Sequence, residues 1–349
     1  MYNTREKKVI KTRKSKELEK KELSLKNIDI KSLKKTNFNW TRKSLLSTKD
    51  LLIEEINLIL ETAKSFSEIL TRQVKKVPTL RGKVIINLFY ENSTRTRSSF
   101  ELAGKYLSAD VTNFSVSTSS IKKGETLQDT AQTLVQMGTD CVIIRHPHSG
   151  IPFQLSQLLP ENISLINAGD GRNEHPTQAL LDLYTMREAI GDLQGTKIAI
   201  IGDVLHSRVA RSNIWLLQKI GMDIHLCGPP TLLPKTFGEY GVKVHWNIED
   251  AISDADVIMV LRLQTERQEK GLIPSTDEYN RLFGLDHKKI KLAKKNVKVL
   301  HPGPMNRGVE ISSSLADDPK YSLINKQVLN GVTVRMALLY LLIFASGKK

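Results

Sequence analysis

Residues 83–97 read KVIINLFYENSTRTR. The first eight form a short apolar run rich in β-branched and aromatic residues, the pattern of a buried strand. The stretch that follows, 98–107 (SSFELAGKYL), reads as a helix. Between them lies a strand-to-helix turn crowded with hydroxyl and guanidinium groups. Main-chain N–H groups at a helix start carry partial positive charge and suit an anion. Ser93, Thr94 and Thr96 add hydroxyl donors, while Arg95 and Arg97 add planar forks that pair with phosphate or carboxylate. The turn reads as a phosphate cradle built without the Gly-rich loop of a nucleotide-binding motif. A Ser/Thr-capped helix with surface arginines is the plainer alternative.

Strands and helices alternate on either side of this turn. Beyond the breaks at Pro78 and Gly82, the segments 83–90, 110–115, 140–145 and 163–167 are short, apolar and β-rich, with helical stretches between most of them. A helix over 177–190 ends at Gly191, and a second series follows at 197–201, 223–227, 243–246, 256–261 and 296–300. This is an α/β chain of two doubly wound parallel-sheet domains joined by helices, an architecture that binds ligands at the carboxyl ends of its strands. An amphipathic helix is expected over 47–71, with Ser47 or Thr48 as its cap, and a buried C-terminal helix over 336–345.

The chain has 349 residues, 40% hydrophobic and 26% charged, the balance of a globular protein with room for two cores. No uninterrupted apolar run approaches the roughly 18 residues of a membrane span. The first residues are polar and basic, without the apolar core of a secretory signal, so a soluble, cytoplasmic protein is expected. The net charge of +15 suggests a nucleic-acid partner until it is located: residues 1–43 hold 15 of the 52 Lys and Arg but only 5 of the 37 Asp and Glu. That concentration reads as a flexible, solvated basic extension rather than a nucleic-acid-binding fold. Its acidic residues also count against an organellar transit peptide. Cys141 and Cys227 sit alone in apolar runs and read as small buried hydrophobes. No HExxH or CxxC pattern points to a metal.

Seven blocks, in order, carry a resemblance. They are FYENSTRTR (89–97), KKGETLQDT (122–130), RHP (145–147), NAGDG..EHPTQALLDL (167–183), GD..HSRVARSN (202–213), VLRLQTER (260–267) and LHPGPMNRGVEI (300–311). Together they resemble the aspartate and ornithine carbamoyltransferases over about 44–346, leaving only the extension outside. The resemblance implies a carbamoyl phosphate-binding domain over 44–182 completed by a C-terminal helix, 330–349, and an aspartate-binding domain over 183–329. It implies transfer of a carbamoyl group from carbamoyl phosphate to an amino acid, without cofactor or metal. For the aspartate branch this is an early step of pyrimidine synthesis.

The second half decides the acceptor. Ornithine enzymes are expected to carry an HCLP-type loop where this chain has His301-Pro302-Gly303-Pro304, and an SMG-type element where it has VLRLQTER. Arg208 and Arg262 suit the two carboxylates of aspartate and would repel the cationic side chain of ornithine. A dinucleotide-dependent oxidoreductase is a more distant alternative, but KIAIIGDVLHSR offers one glycine where GxGxxG is wanted.

By resemblance, Ser93, Thr94, Arg95 and Thr96 hold the phosphate, and Arg145 reaches phosphate and carbonyl oxygen. His175 and Thr96 donate to that oxygen. Gln178, with main-chain carbonyls near Gly303 and Pro304, takes the carbamoyl NH2. Arg208 and Arg262, supported by Gln264, bind aspartate. Lys123 closes over both ligands from a neighbouring subunit, which implies a homotrimer with shared sites; higher assembly with a regulatory chain or dihydroorotase is left open. Arg97, His146 and His206 are read as bracing groups.

Overall fold

Among the described residues, ten strands fall into two five-stranded sheets, and every strand pairing within them is parallel. The computed structural model describes residues 38–115, 126–264 and 271–345. In chain order the first half comprises β1 (Ser44–Leu45), α1 (Ile53–Leu70), β2 (Val84–Phe89), α2 (Thr94–Tyr106), β3 (Asp110–Ser115), α3 (Leu127–Gln136), β4 (Cys141–His146), α4 (Ile151–Leu158) and β5 (Ser164–Asp170). Helix α5 (Pro176–Ile190) leads into the second half. That half comprises β6 (Lys197–Ile201), α6 (Arg208–Ile220), β7 (Asp223–Cys227), β8 (Lys243–His245), α7 (Ile248–Ile252), β9 (Val257–Val260), α8 (Thr276–Phe283), β10 (Lys298–Leu300) and α9 (Ser313–Ala316). The last helix, α10 (Ile324–Leu339), packs against α1, α2 and α5, and so returns the chain to the first half.

Strand order explains where ligands can go. The first sheet runs β1-β5-β4-β2-β3 and the second β10-β9-β6-β7-β8. In each, the chain steps outward on one side and then restarts on the other, so the order reverses between β2 and β4 and between β6 and β9. Connections leave such neighbours in opposite directions and open a crevice at their carboxyl ends. The apolar runs VIINLF, CVIIRH and KIAII supply these central strands and are buried through most of their length, as helices on both faces require. Ala199, Ile201, Ile258 and Val260 join one such core in the second half.

Two boundaries differ from the expectation. Helix α1 begins at Ile53, and neither Ser47 nor Thr48 caps it. Instead Glu55 Oε2 accepts the Leu52 N–H at 2.9 Å, and Arg42 bonds Glu55 and Asp50, each at 2.8 Å. The hydroxyls of Ser47 and Thr48 both donate to the carboxylate of Glu174, whose burial makes it the stronger claimant. The two-residue strand β1 pairs with β5, too short for a sequence pattern to reveal.

The C-terminal helix starts earlier than expected: α10 begins at Ile324 and runs on through a π-helical turn, Tyr340–Ala345. Ile324–Phe344 is long and apolar enough by length and composition to cross a membrane, yet most of it lies buried against the other helices. It is read as a core helix. Cys141 and Cys227 are buried and free; burial drives both thiols upward, Cys227 to about 12.

Candidate active site

The predicted site residues that fall among the described ones lie at or just beyond the carboxyl ends of strands. Helix α2 starts directly after the β2 turn, with Ser93 at its N-cap position. The Ser93 side chain does not cap the helix, so neither its hydroxyl nor the first N–H groups of α2 are spent on each other. Thr96 is buried one turn in, while Arg95 remains exposed. The Arg95 guanidinium lies against Gly303: a Cβ there would come within 3.0 Å of Arg95 Cζ. Gly303 also adopts φ +59, a left-handed conformation that favours glycine. Partial burial lowers the pKa of Arg95, and the charge of Arg262 lowers it further, so these two guanidinium groups from opposite halves share one electrostatic neighbourhood.

Glu91 ties the halves together. Arg145, at the end of β4, approaches its Oε1 with Nε at 2.7 Å and donates Nη1 to the Ala168 carbonyl at 3.1 Å. Arg208, at the first position of α6, donates Nη2 to the same Oε1. Arg208 is buried, packed so tightly on Gly169 that a Cβ there would fall 2.9 Å from its Cζ. Its Nη1 is also buried and bonds to nothing among the described residues. An arginine held on one edge with a donor unspent on the other is ready for a carboxylate. Glu91 was not singled out from the sequence; its place beside the STRTR turn was the available signal.

The start of α5 floors the crevice. His175 sits at the N-cap position, but its side chain does not cap the helix. Its main-chain N–H donates to Ser212 Oγ at 2.8 Å, and Ser212 Oγ donates to Glu174 Oε2 at 2.7 Å. Gln178 follows one turn later, buried, with Nε2 bonded to Asp182 Oδ1 at 2.9 Å. Arg262 and Gln264 follow β9 and are half-buried. The loop after β10 is held by its own histidine: Gly303 N–H donates to His301 Nδ1 at 2.9 Å, which leaves the ring proton on Nε2, 3.2 Å from Glu310 Oε1.

Of the groups read as bracing, Arg97 is half-buried on α2. His206 Nδ1 lies 2.7 Å from Asp203, holding the turn before α6. The His146 ring lies tilted against Tyr90 with centroids 4.7 Å apart, and burial lowers its pKa, as does the neighbouring His148. Arg211 lies over Phe237 and donates to the Leu205 carbonyl. Lys123 lies outside the described residues. Among the described residues no group of three or more His, Cys, Asp or Glu is placed to hold a metal.

This arrangement offers hydroxyl and N–H donors from one half, guanidinium groups from both, and an imidazole and an amide beneath them. It can hold an anionic acyl donor beside a second, carboxylate-bearing molecule. Residues 43–188 match the carbamoyl-P binding domain of aspartate/ornithine carbamoyltransferase, and residues 194–342 match the Asp/Orn binding domain. The aspartate carbamoyltransferase catalytic subunit of Moorella thermoacetica is 57% identical over 302 residues, covering 86% of this chain and 97% of that protein. The one from Thermosynechococcus vestitus is 53% identical over 313 residues, covering 87% and 95%. The crystal structure of Trypanosoma cruzi aspartate transcarbamoylase in complex with N-(phosphonacetyl)-L-aspartic acid superposes with a TM-score of 0.76 at 31% identity, covering 86% and 96%. The chain belongs to the aspartate/ornithine carbamoyltransferase family.

Proposed function

We propose that this protein is an aspartate carbamoyltransferase, transferring the carbamoyl group of carbamoyl phosphate to the amino group of L-aspartate and releasing phosphate. The observation that carries the reading is the buried Arg208, fixed by Glu91 and Gly169 with Nη1 unspent, beside a helix start lined with hydroxyls. The relatives described above carry this name, and formation of N-carbamoyl-L-aspartate is an early step of pyrimidine synthesis.

In this reading Ser93, Thr94, Arg95 and Thr96 hold the phosphate, with Arg145 spanning phosphate and carbonyl oxygen. Arg208 and Arg262 receive the aspartate carboxylates, with Gln264 in support. The amine first loses its proton, because an ammonium has no lone pair to attack with; an α-amino group near pKa 8 makes this accessible. A C–N bond then forms at the carbamoyl carbon, and negative charge gathers on its oxygen. Thr96, His175 and Arg145 meet that charge, each donor contributing on the order of 3 kcal/mol at the transition state. The C–O bond to phosphate breaks, and the cations around the leaving group take up the released charge. Holding both substrates together supplies much of the remaining acceleration as entropy already spent on binding.

Lys123 completes the site from an adjacent copy, so the working unit is a closed homotrimer in the cytoplasm. The support is its position directly before GET in a family block, and two buried free thiols fit a reducing compartment. Phosphate release and ureido product are measured with aspartate and ornithine offered in parallel. Turnover with aspartate alone is expected, and turnover with ornithine alone sinks the reading. For sharing, Lys123→Ala chains mixed with Arg95→Ala chains should regain activity through hybrid sites; assembled mixtures that stay inactive argue against it.

A further inference from the structure

One fully buried oxygen connects the two acceptor groups assigned above to the carbamoyl NH2. Asp182 lies one turn beyond Gln178 on α5 and is completely inaccessible. Its Oδ1 accepts from Gln178 Nε2 at 2.9 Å and from Gln327 Nε2, on α10, at 2.7 Å. Its Oδ2 accepts from Asn213 Nδ2, on α6, at 3.1 Å. We propose that Asp182 is the positioning residue that makes this site prefer a carbamoyl donor over other acyl phosphates. This rests on the assignment of Gln178 and the 303–304 carbonyls to the NH2 group.

The argument follows from donor and acceptor roles. An ionised carboxylate can only accept, so both glutamines must turn their NH2 groups toward Asp182 and their oxygens away from it. For Gln178 that orientation offers Oε1 to an N–H donor in the crevice. For Gln327 it aims Oε1 at the main-chain N–H of His301, which donates to it at 2.9 Å. His301 in turn accepts the Gly303 N–H. The loop carrying the 303 and 304 carbonyls is therefore suspended from the same oxygen that orients Gln178. A substrate NH2 would find both acceptors presented, whereas a methyl group there would leave them unfilled, and a buried unfilled acceptor is costly.

The surroundings support an ionised Asp182 under working conditions. Burial raises its pKa to about 6; the bonds from Asn213, Gln327 and Gln178 and the charge of Arg335 hold it there against a larger rise. Arg335 is the charged neighbour, itself donating to Ser99 Oγ at 2.8 Å. Above pH 7 the carboxylate is an obligate acceptor, and both amides are locked.

Acetyl phosphate, in which a methyl group replaces the NH2, reads this arrangement directly. The ratio of kcat/KM for carbamoyl phosphate to the inverse inhibition constant of acetyl phosphate is measured for wild type, Asp182→Ala, Asp182→Asn and Gln178→Ala. Asp182→Ala should lower that ratio about 10- to 100-fold, the range expected for a misaligned buried partner, with acetyl phosphate binding nearly unchanged. Asp182→Asn keeps an oxygen for both glutamines, so it should recover most of the discrimination even though its NH2 then meets the Asn213 NH2, which the Val209 carbonyl holds in place. If both donors weaken equally in Asp182→Ala while Gln178→Ala narrows the ratio, Asp182 is scaffold alone and the proposal is overturned. A ratio unchanged in Gln178→Ala removes the NH2 assignment beneath it, and the proposal with it. Should Asp182→Ala fail to fold, Gln327→Met cuts the loop arm while keeping the carboxylate. A several-fold narrowing there supports the proposal; parallel weakening of both donors overturns it.

Discussion

Glu91 and Asp182 are both carboxylates that join the two halves, yet their surroundings are opposite. Glu91 sits at the crevice, still partly exposed, and spends one oxygen on two guanidinium groups. Asp182 lies behind the helix, fully buried, and is solvated by three side-chain amides with its nearest cation at a distance. Ion pairs at a solvent-facing cleft can be remade with a substrate carboxylate. Amide bonds in a sealed core cannot be exchanged, so they hold geometry. Charge is thus placed where partners change and neutral donors where they must stay fixed.

Removing the carboxylate should therefore have opposite effects on stability at the two positions. Glu91→Ala leaves Arg145 and the buried Arg208 facing each other without their shared acceptor. Breaking a largely buried pair by deleting one partner costs roughly 3–5 kcal/mol, and the effect here belongs near the lower end because Arg145 keeps the Ala168 carbonyl. Urea denaturation should show that loss, together with a fall in kcat/KM for aspartate of about 100-fold as Arg208 loses its anchor. A variant as stable as wild type would mean that the two arginines find other partners at no cost.

Asp182→Asn should instead stabilise the protein at neutral and alkaline pH. The folded-state pKa, about 6, lies above the ordinary 3.8, so the folded protein binds the proton more tightly than the unfolded chain does. Wild-type stability must then fall as pH rises from 4 through 6, by up to roughly 3 kcal/mol from this group. The amide variant carries no such charge penalty, and the meeting of its NH2 with that of Asn213 costs the same at every pH. Its stability advantage should be largest above pH 7 and close as pH drops toward 4. A gap independent of pH would mean that Asp182 titrates normally, and the contrast with Glu91 would collapse.

Much of this arrangement was legible in the sequence because it rests on local grammar. The strand VIINLF, the STRTR turn and the helix after it are contiguous, and a helix start with hydroxyls and arginines has one obvious electrostatic use. Arg208 and Arg262 could be located by their place after strands of the second half. What escaped was set by partners distant in the chain. Glu91 meets Arg208 across 117 residues, and Gln327 meets Asp182 across 145. No period or spacing encodes such pairings. Asp182 sat inside HPTQALLDL as an ordinary helix residue, and only the packing of α10 against α5 gives it work to do.

Ser47 and Thr48 were misjudged for the same reason, and they give the smallest of the expected effects. As caps they would matter to α1. In the fold they serve Glu174, whose Oε2 accepts from the Thr48 N–H at 3.0 Å, Thr48 Oγ1 at 2.9 Å and Ser212 Oγ at 2.7 Å, while Ser47 Oγ donates to Oε1. Glu174 thus resembles Asp182 more than Glu91: it is buried and solvated by neutral donors. Thr48→Val deletes one of these donors at nearly constant volume and leaves the other three. A stability loss of about 1 kcal/mol is expected by thermal denaturation. Because the Ser212 link to the His175 N–H survives, kcat should stay within about twofold of wild type. A larger fall in kcat would show that the N-terminal segment aligns His175 itself, and that neutral donors alone do not hold this carboxylate in place.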